Sequence, residues 1–386
     1  MSLDFSLQQQ LDERRRQSLY RQRQVVDSPQ GVEVEVEGKR YLSFSSNDYL
    51  GLANHPQIIA AFQQGLSRWG VGSGAAHLVS GHSAAHHALE EELADFLEYP
   101  RVLLFSSGYQ ANLGIHQALL GRRDRTIHDR LNHASLLDGA KLSGARLLRY
   151  GHSDLNGLER RLSEPANGRT MVVTDGIFSM DGDNAPLPAI AEKCLSRGAT
   201  LLVDDAHGIG LQGPQGRGTV AKFGLGSTEV PILMATLGKA FGVSGAFVAG
   251  SEPLIETLIQ QARTYIYTTA TPPAQAEATR KAVELVREGA ERREQLQKMV
   301  AFFREGAATL KLNLIHSTTA IQPLLVGRSK DALKLSEQLW QQGILVAPIR
   351  PPTVAEGSAR LRITFSANHT ESHLDQLLEA LAACSR

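Results

Sequence analysis

The sequence predicts an α/β fold: a mostly parallel seven-stranded sheet with helices on both faces, a smaller α+β C-terminal domain, and an N-terminal helix-and-hairpin segment. Three observations carry this expectation. Seven short apolar runs recur at 102–105, 126–128, 147–150, 171–174, 201–203, 232–237 and 245–249. Helix-length segments, among them 111–120, 155–163 and 189–196, separate most of these runs, and strands alternating with helices form a parallel sheet covered on both sides. The last two runs adjoin through a glycine-containing turn, so one strand there is expected to run antiparallel.

The remaining elements follow in order. Residues 3–24 read as an amphipathic helix, because Leu3, Leu7, Leu11 and Leu19 fall on or near one stripe. Val and Glu alternate over 32–36, and a turn at Gly38 and Lys39 leads into 41–44, which makes a β-hairpin. Asn47, Asp48 and Gly51 mark a loop, and His55 with Pro56 opens a helix that runs towards Trp69. Residues 70–74 are glycine-rich, and 83–97 form a helix that turns Leu89, Leu93 and Phe96 inward. Beyond the sheet, 272–308 reads as one continuous helix. Strands at 320–326, 344–349 and 360–365 and helices at 330–342 and 370–384 then make the smaller unit. The expected division is 1–46, 47–288 and 289–386, within the two or three domains that about 100–200 residues per domain allows for 386 residues.

Composition narrows the function. Forty Lys and Arg balance forty Asp and Glu, so no long-range field recruits a polyanion, and nucleic acid is not expected as a partner. Two cysteines, Cys194 and Cys384, supply neither a disulfide framework nor a cysteine-based zinc site, which suits a cytoplasmic protein. The polar, charged N-terminus lacks the apolar core of a secretory signal. Residues 231–250 contain a single charge, Lys239. A membrane helix there would place that lysine at mid-bilayer, at about 2.5–3.5 kcal/mol, and would carry four glycines, Gly238, Gly242, Gly245 and Gly250. Two buried strands around a glycine turn are expected instead, leaving one amine in an apolar setting.

Ligands of parallel sheets bind at the carboxyl ends of strands, and several unusual residues fall there. Ser106, Ser107, Gly108 and Tyr109 sit between a strand and a helix, where exposed N–H groups cradle an anion; alone, the segment is an ordinary helix cap. Asp204, Asp205 and His207 close one strand, and a buried carboxylate needs a cationic or hydrogen-bonded partner. Lys239 follows Thr236 on the glycine turn, where desolvation favours the neutral amine that Schiff-base chemistry requires. His133 and Ser179 each follow a strand. His82, His86 and His87 are expected to be a solvated helix face. The glycine pattern at 70–75 has no preceding strand and is not a dinucleotide fingerprint. An anion cradle, a strand-end Asp, a flanking His and a turn-borne Lys together suit pyridoxal 5'-phosphate: phosphate on the cradle, aldehyde on the lysine, ring nitrogen on the aspartate. A divalent-metal hydrolase using Asp204, Asp205, His207, His128 and His133 is the alternative from another class; a non-catalytic binding protein on the same sheet scaffold is a third.

At these residues the chain resembles the α-oxoamine synthases, a family of fold-type-I pyridoxal-phosphate enzymes. The shared motifs are NDYLGL from Asn47, LVSGHSAAHHALEEELA from Leu78, NHASLLDGA from Asn132, DGIFSMDGD from Asp175, VDDAHGIGLQGPQGRG from Val203 and TLGKAFGVSGA from Thr236. The resemblance implies that Lys239 holds the coenzyme, Asp204 pairs with its ring nitrogen, His207 with its phenolic oxygen, and His133 stacks on the ring. Ser179 and Thr236 contact the coenzyme, and the Gly108 and Tyr109 backbone cradles its phosphate. Arg362 binds the amino-acid carboxylate; Arg21 (with Arg23 nearby) and Thr353 reach the acyl substrate. No metal is implied. The motif from Leu78, with TPPAQA from Thr271, AIQPLLVG from Ala320 and IRPPTV from Ile349, implies the branch that condenses L-alanine with a pimeloyl thioester, carried by coenzyme A or acyl carrier protein, in biotin biosynthesis. The alternative branch joins glycine to a short acyl-CoA. Family members are homodimers with shared active sites, so Thr268 or Thr269 is expected to reach the phosphate across the subunit interface. His77 stands where the family often has Arg, and Tyr109 replaces a frequent Phe.

Overall fold

A computed structural model describes residues 6–384, which form two compact units. The larger unit comprises residues 50–179 and 184–293. Its sheet has seven strands in the order Arg101–Phe105, Ala246–Gly250, Ile232–Thr236, Thr200–Asp204, Thr170–Asp175, Arg125–Asp129, Arg146–Tyr150. All neighbours are parallel except Ala246–Gly250, which runs antiparallel to both strands beside it. The segment 231–250 is therefore strand, turn and strand, and no helix among the described residues is long and apolar enough to cross a membrane.

The central strands are apolar on consecutive residues because helices cover both sheet faces. Leu103, Val173, Leu202, Met234 and Val248 share one buried cluster with Ala111, Ile115 and Leu136 from two helices, Gly108–Leu119 and Ala134–Ser143. Burying each larger aliphatic side chain stabilises the unit by about 1.5–3 kcal/mol. Polar residues return where the strands leave this core. Asp129, Asp175 and Asp204 end three parallel strands, and Asp175 and Asp204 are direct cross-strand partners.

The smaller unit contains residues 6–49, 180–183 and 294–384. Glu33–Val36 and Lys39–Ser43 form the expected hairpin. Ile344–Leu345 adds a parallel third strand to it, while Ile321–Gly327, Ala359–Thr364 and Ala347–Ile349 form an antiparallel sheet. The single strand expected over 344–349 is thus two strands in two sheets. The Ser336 hydroxyl donates to the Val346 carbonyl (2.8 Å), occupying that backbone acceptor with a side chain where the strands part. The expected helix over 3–24 is confined to Leu7–Arg16 among the described residues, and Leu3 lies outside them. Ser18 adopts a left-handed conformation (φ 58°) and the Leu19 and Tyr20 amides both turn back to the Arg14 carbonyl, which ends the helix before Leu19. The helix expected over 272–308 is two, Pro273–Glu288 and Ala290–Thr309, separated at Gly289, a weak helix former.

The turn carrying Lys239 has two glycines at positive φ, Gly242 and Gly245. Gly242 has φ +67°, and a Cβ there would lie 2.4 Å from the backbone of Leu52 and Ala53. Its N–H donates to the Lys239 carbonyl at 2.9 Å. Gly242→Ala is expected to destabilise the protein by about 1–3 kcal/mol through this overpacking, measured as a lower urea midpoint at unchanged slope.

Candidate active site

The strand Thr200–Asp204 runs Thr-Leu-Leu-Val-Asp, so its apolar stretch delivers Asp204 to the carboxyl end of the sheet with the carboxylate buried. Two neutral groups donate to it: Asn112 Nδ2 to Oδ2 at 2.8 Å and the Ala206 N–H to Oδ1 at 3.1 Å. Asp205 turns elsewhere. Its carboxyl meets the Thr219 N–H at 2.6 Å and the Thr219 hydroxyl, and full burial pushes its pKa up to about 7. The adjacent aspartates thus diverge, Asp204 towards the site and Asp205 into a structural loop clasp.

His207 lies three residues beyond Asp204, with Nε2 2.9 Å from Lys239 Nζ. Lys239 is held by the turn between Ile232–Thr236 and Ala246–Gly250. Thr236 closes that turn with its side chain, donating to the Gly245 carbonyl (2.9 Å) and accepting from the Gly238 N–H (3.2 Å). The turn leaves the amine half-buried beside an imidazole.

His133 caps the helix Ala134–Ser143. Its N–H donates to Asp175 Oδ2 at 2.9 Å, and its Nδ1 accepts from the Ser135 N–H at 3.3 Å and lies 2.8 Å from Ser135 Oγ. Burial lowers its pKa below the usual histidine value; Asp204 opposes that shift and Lys239 adds to it. Asp175 is raised well above the carboxylate range by burial, with Asp204 beside it reinforcing the effect. Gly108 opens the helix Gly108–Leu119, which is capped by Ser107 Oγ accepting from the Gln110 N–H (3.3 Å). Tyr109 is exposed and its hydroxyl donates to Asp138. One turn further along that helix, Asn112 joins Asp204 to Ser135 (2.9 Å) and so to His133. Hydrogen bonds and charge interactions therefore link Asp204, His133, His207 and Lys239. Ser179 is half-buried, four residues beyond Asp175.

Arg362 belongs to the smaller unit, on the strand Ala359–Thr364. It is buried, and its guanidinium donates to Asn47 Oδ1 (3.1 Å) and the Tyr49 hydroxyl (3.2 Å). Arg21, Arg23 and Thr353 are exposed in the same unit. There Arg350 donates to the Ser18 and Tyr20 carbonyls, tying down the chain that precedes Arg21.

The sequence gives no role to Asn112, and presents Ser135, Asp175, Asn47 and Tyr49 only as members of motifs. Asn112 had a detectable signal: an amide beside Ala111 and Ile115 on the buried face of its helix. One expectation is corrected. His86 is not on a solvated face but fully buried, because Nδ1 accepts from the Ser83 N–H (3.1 Å) and Nε2 meets the Thr271 carbonyl (2.8 Å). His77 has a packing role: it stacks on Tyr265 at 4.9 Å, with Nδ1 3.0 Å from His82 Nδ1, and burial lowers its pKa to about 3. The alternative metal set does not converge. Asp205 is engaged by Thr219, and His128 by Thr126 Oγ1 (2.8 Å).

Comparison with known proteins identifies the family. The family model for class I and II aminotransferases matches residues 39–381. The 8-amino-7-oxononanoate synthase of Stutzerimonas stutzeri (strain A1501) is 60% identical over 99% of this chain and 97% of its own length. That of Nitrosococcus oceani is 60% identical over 96% of this chain and 99% of its own. The chain belongs to the 8-amino-7-oxononanoate synthase family. Among solved structures, the family's enzyme from Francisella tularensis is 32% identical with a TM-score of 0.79, covering 89% of this chain and 98% of that one. A serine palmitoyltransferase from S. paucimobilis, solved with a bound PLP–myriocin aldimine, is 28% identical with a TM-score of 0.94 over 99% of this chain and 97% of that one. Family and fold thus make the chain a pyridoxal-phosphate-dependent acyltransferase, in agreement with the fold class read from its sequence.

Asp205 has a testable pH signature. Burial raises its folded pKa to about 7, above the ordinary aspartate value of 3.8, so the proton it retains stabilises the fold fully below pH ~4 and that contribution is lost as pH rises through ~7. Asp205→Asn can satisfy the Thr219 N–H and hydroxyl without a titrating group. The wild type should therefore lose stability relative to Asp205→Asn between pH ~4 and ~7, as followed by urea denaturation.

Proposed function

We propose that the chain condenses L-alanine with a pimeloyl thioester to give 8-amino-7-oxononanoate, CO₂ and the free thiol carrier, in biotin biosynthesis. The near full-length identity to enzymes of that name carries this reading. The buried Asp204 carboxylate supports the coenzyme assignment: its hydrogen-bond donors are neutral, and a buried anion is best matched by a cation such as a protonated ring nitrogen.

In this reading Lys239 holds the coenzyme covalently, Asp204 keeps its ring nitrogen protonated, His207 bonds its phenolic oxygen, and His133 covers its ring face. Ser179 and Thr236 contact it, and the Gly108 and Tyr109 backbone at a helix N-terminus binds its phosphate. Bound pyridoxal phosphate supplies an electron sink for the charge left when a bond to the substrate's α-carbon breaks. The protein decides which bond that is. Arg362, preset by Asn47 and Tyr49, clamps the alanine carboxylate through paired N–H donors. Lys239 Nζ is the base for the α-proton, with His207 2.9 Å away to orient it. Arg21 and Thr353 receive the far end of the acyl chain, where an arginine suits a terminal carboxylate.

We further propose a cytoplasmic homodimer with Thr268 or Thr269 reaching the phosphate across the interface, and a thioester carried by coenzyme A or acyl carrier protein. Two free cysteines suit a reducing compartment.

Lys239→Ala should abolish turnover and the borohydride-trapped coenzyme adduct seen by mass spectrometry. Arg362→Ala should raise the alanine KM about 10–100-fold, the equivalent of one lost charged hydrogen-bond pair. Turnover of alanine with pimeloyl-CoA should far exceed that of glycine with acetyl-CoA; the reverse result would overturn the substrate assignment.

A further inference from the structure

Asp204 and His133 are joined by a buried polar chain that passes through two residues with no role in the reaction as described. Asn112 Nδ2 lies 2.8 Å from Asp204 Oδ2 and 2.9 Å from Ser135 Oγ, and Ser135 Oγ lies 2.8 Å from His133 Nδ1. Asn112 is fully buried and Ser135 nearly so. We propose that Asn112 and Ser135 are positioning residues that hold His133 as the neutral imidazole with its proton on Nε2. The proposal rests on the reading above, in which His133 covers the coenzyme.

The direction of each hydrogen bond follows from valence. A carboxylate only accepts, so Asn112 presents its amide nitrogen to Asp204; the opposite rotamer would set Oδ1 against the carboxylate. The second hydrogen of that nitrogen points to Ser135 Oγ, which accepts it. The single hydroxyl proton of Ser135 is then free for His133 Nδ1. Nδ1 also accepts the Ser135 backbone N–H at 3.3 Å, so it carries a lone pair and the imidazole proton resides on Nε2. The anchored charge on Asp204 thus dictates, two side chains away, which nitrogen of His133 is the donor.

The groups facing His133 come from several elements. They are Asp204 and Lys239 from the sheet ends, Asp138 on its own helix, and Asp175, which takes its backbone N–H. Asp204 and Asp138 favour the protonated ring; Lys239 and burial oppose it. A hydroxyl donating to Nδ1 adds to the side favouring the neutral ring, because only that form has a lone pair to accept with. Removing the donor, or the amide that orients it, should raise the His133 pKa.

The test is long-range ¹H–¹⁵N NMR of histidine-labelled holoenzyme, with His133 assigned by the missing signals of His133→Asn. Wild-type Nδ1 should be unprotonated between about pH 6 and 8. Ser135→Ala and Asn112→Leu should each raise the midpoint of His133 by ~0.5–1 pH unit. The double variant should go no further than the larger single one, since both act through one hydroxyl. The acidic limb of the kcat profile should move with it. A protonated Nδ1 in the wild type overturns the proposal, as does a Ser135→Ala enzyme whose His133 titrates like wild type. If Asn112→Leu does not fold, Ser135→Ala alone decides. Coenzyme uptake, followed by visible absorbance, is scored separately: its failure overturns the function reading, while His133 in the same sample still reports its tautomer.

Discussion

The architecture of the site depends on one buried carboxylate. Asp204 ends a strand whose preceding apolar residues are buried on both faces, so its charge is placed where water cannot solvate it. Leaving such a group without donors costs about 1–3 kcal/mol or more, and the surrounding structure answers that demand. Asn112 is turned inward from its helix and the Ala206 N–H folds back to the carboxylate. In the proposed reading a cationic ring nitrogen meets this carboxylate.

Neighbouring carboxylates show how local environment separates roles within one motif. Asp175 is paired across the strands with Asp204 and its pKa is driven upward. Asp205 is also driven upward and closes a loop through Thr219. Three aspartates within a few residues of one sheet edge therefore have different work: one faces the site, one holds the backbone of His133, and one fastens a loop. The histidines divide similarly. His207 touches Lys239, while His86 and His77 are spent on capping and packing.

Much of the larger unit was legible in the sequence because its strands and helices declare themselves locally. All seven apolar runs are strands, and the glycine turn at Lys239 follows from residues adjacent in the chain. Lys239 could be singled out because it interrupts an apolar stretch and Asp204 because it closes one, whereas His207 and His133 took their roles from the family motifs. Helix ends were less legible. The stops at Ser18 and Gly289 depend on one residue's backbone conformation, and periodicity carries through such a break without registering it.

The sequence by itself determined the alternation of strand and helix, the strand-end positions of the polar residues and the family motifs, all properties of neighbours along the chain. Tertiary structure alone decided that Asn112 reaches Asp204 across 92 positions, that Asn47 and Tyr49 preset Arg362 across more than 300, and that His86 is buried rather than solvated. The physical reason is the same in each case. A hydrogen bond is decided by distance and direction in space, and residues remote in sequence carry no periodic signal of which partner the fold will bring to them.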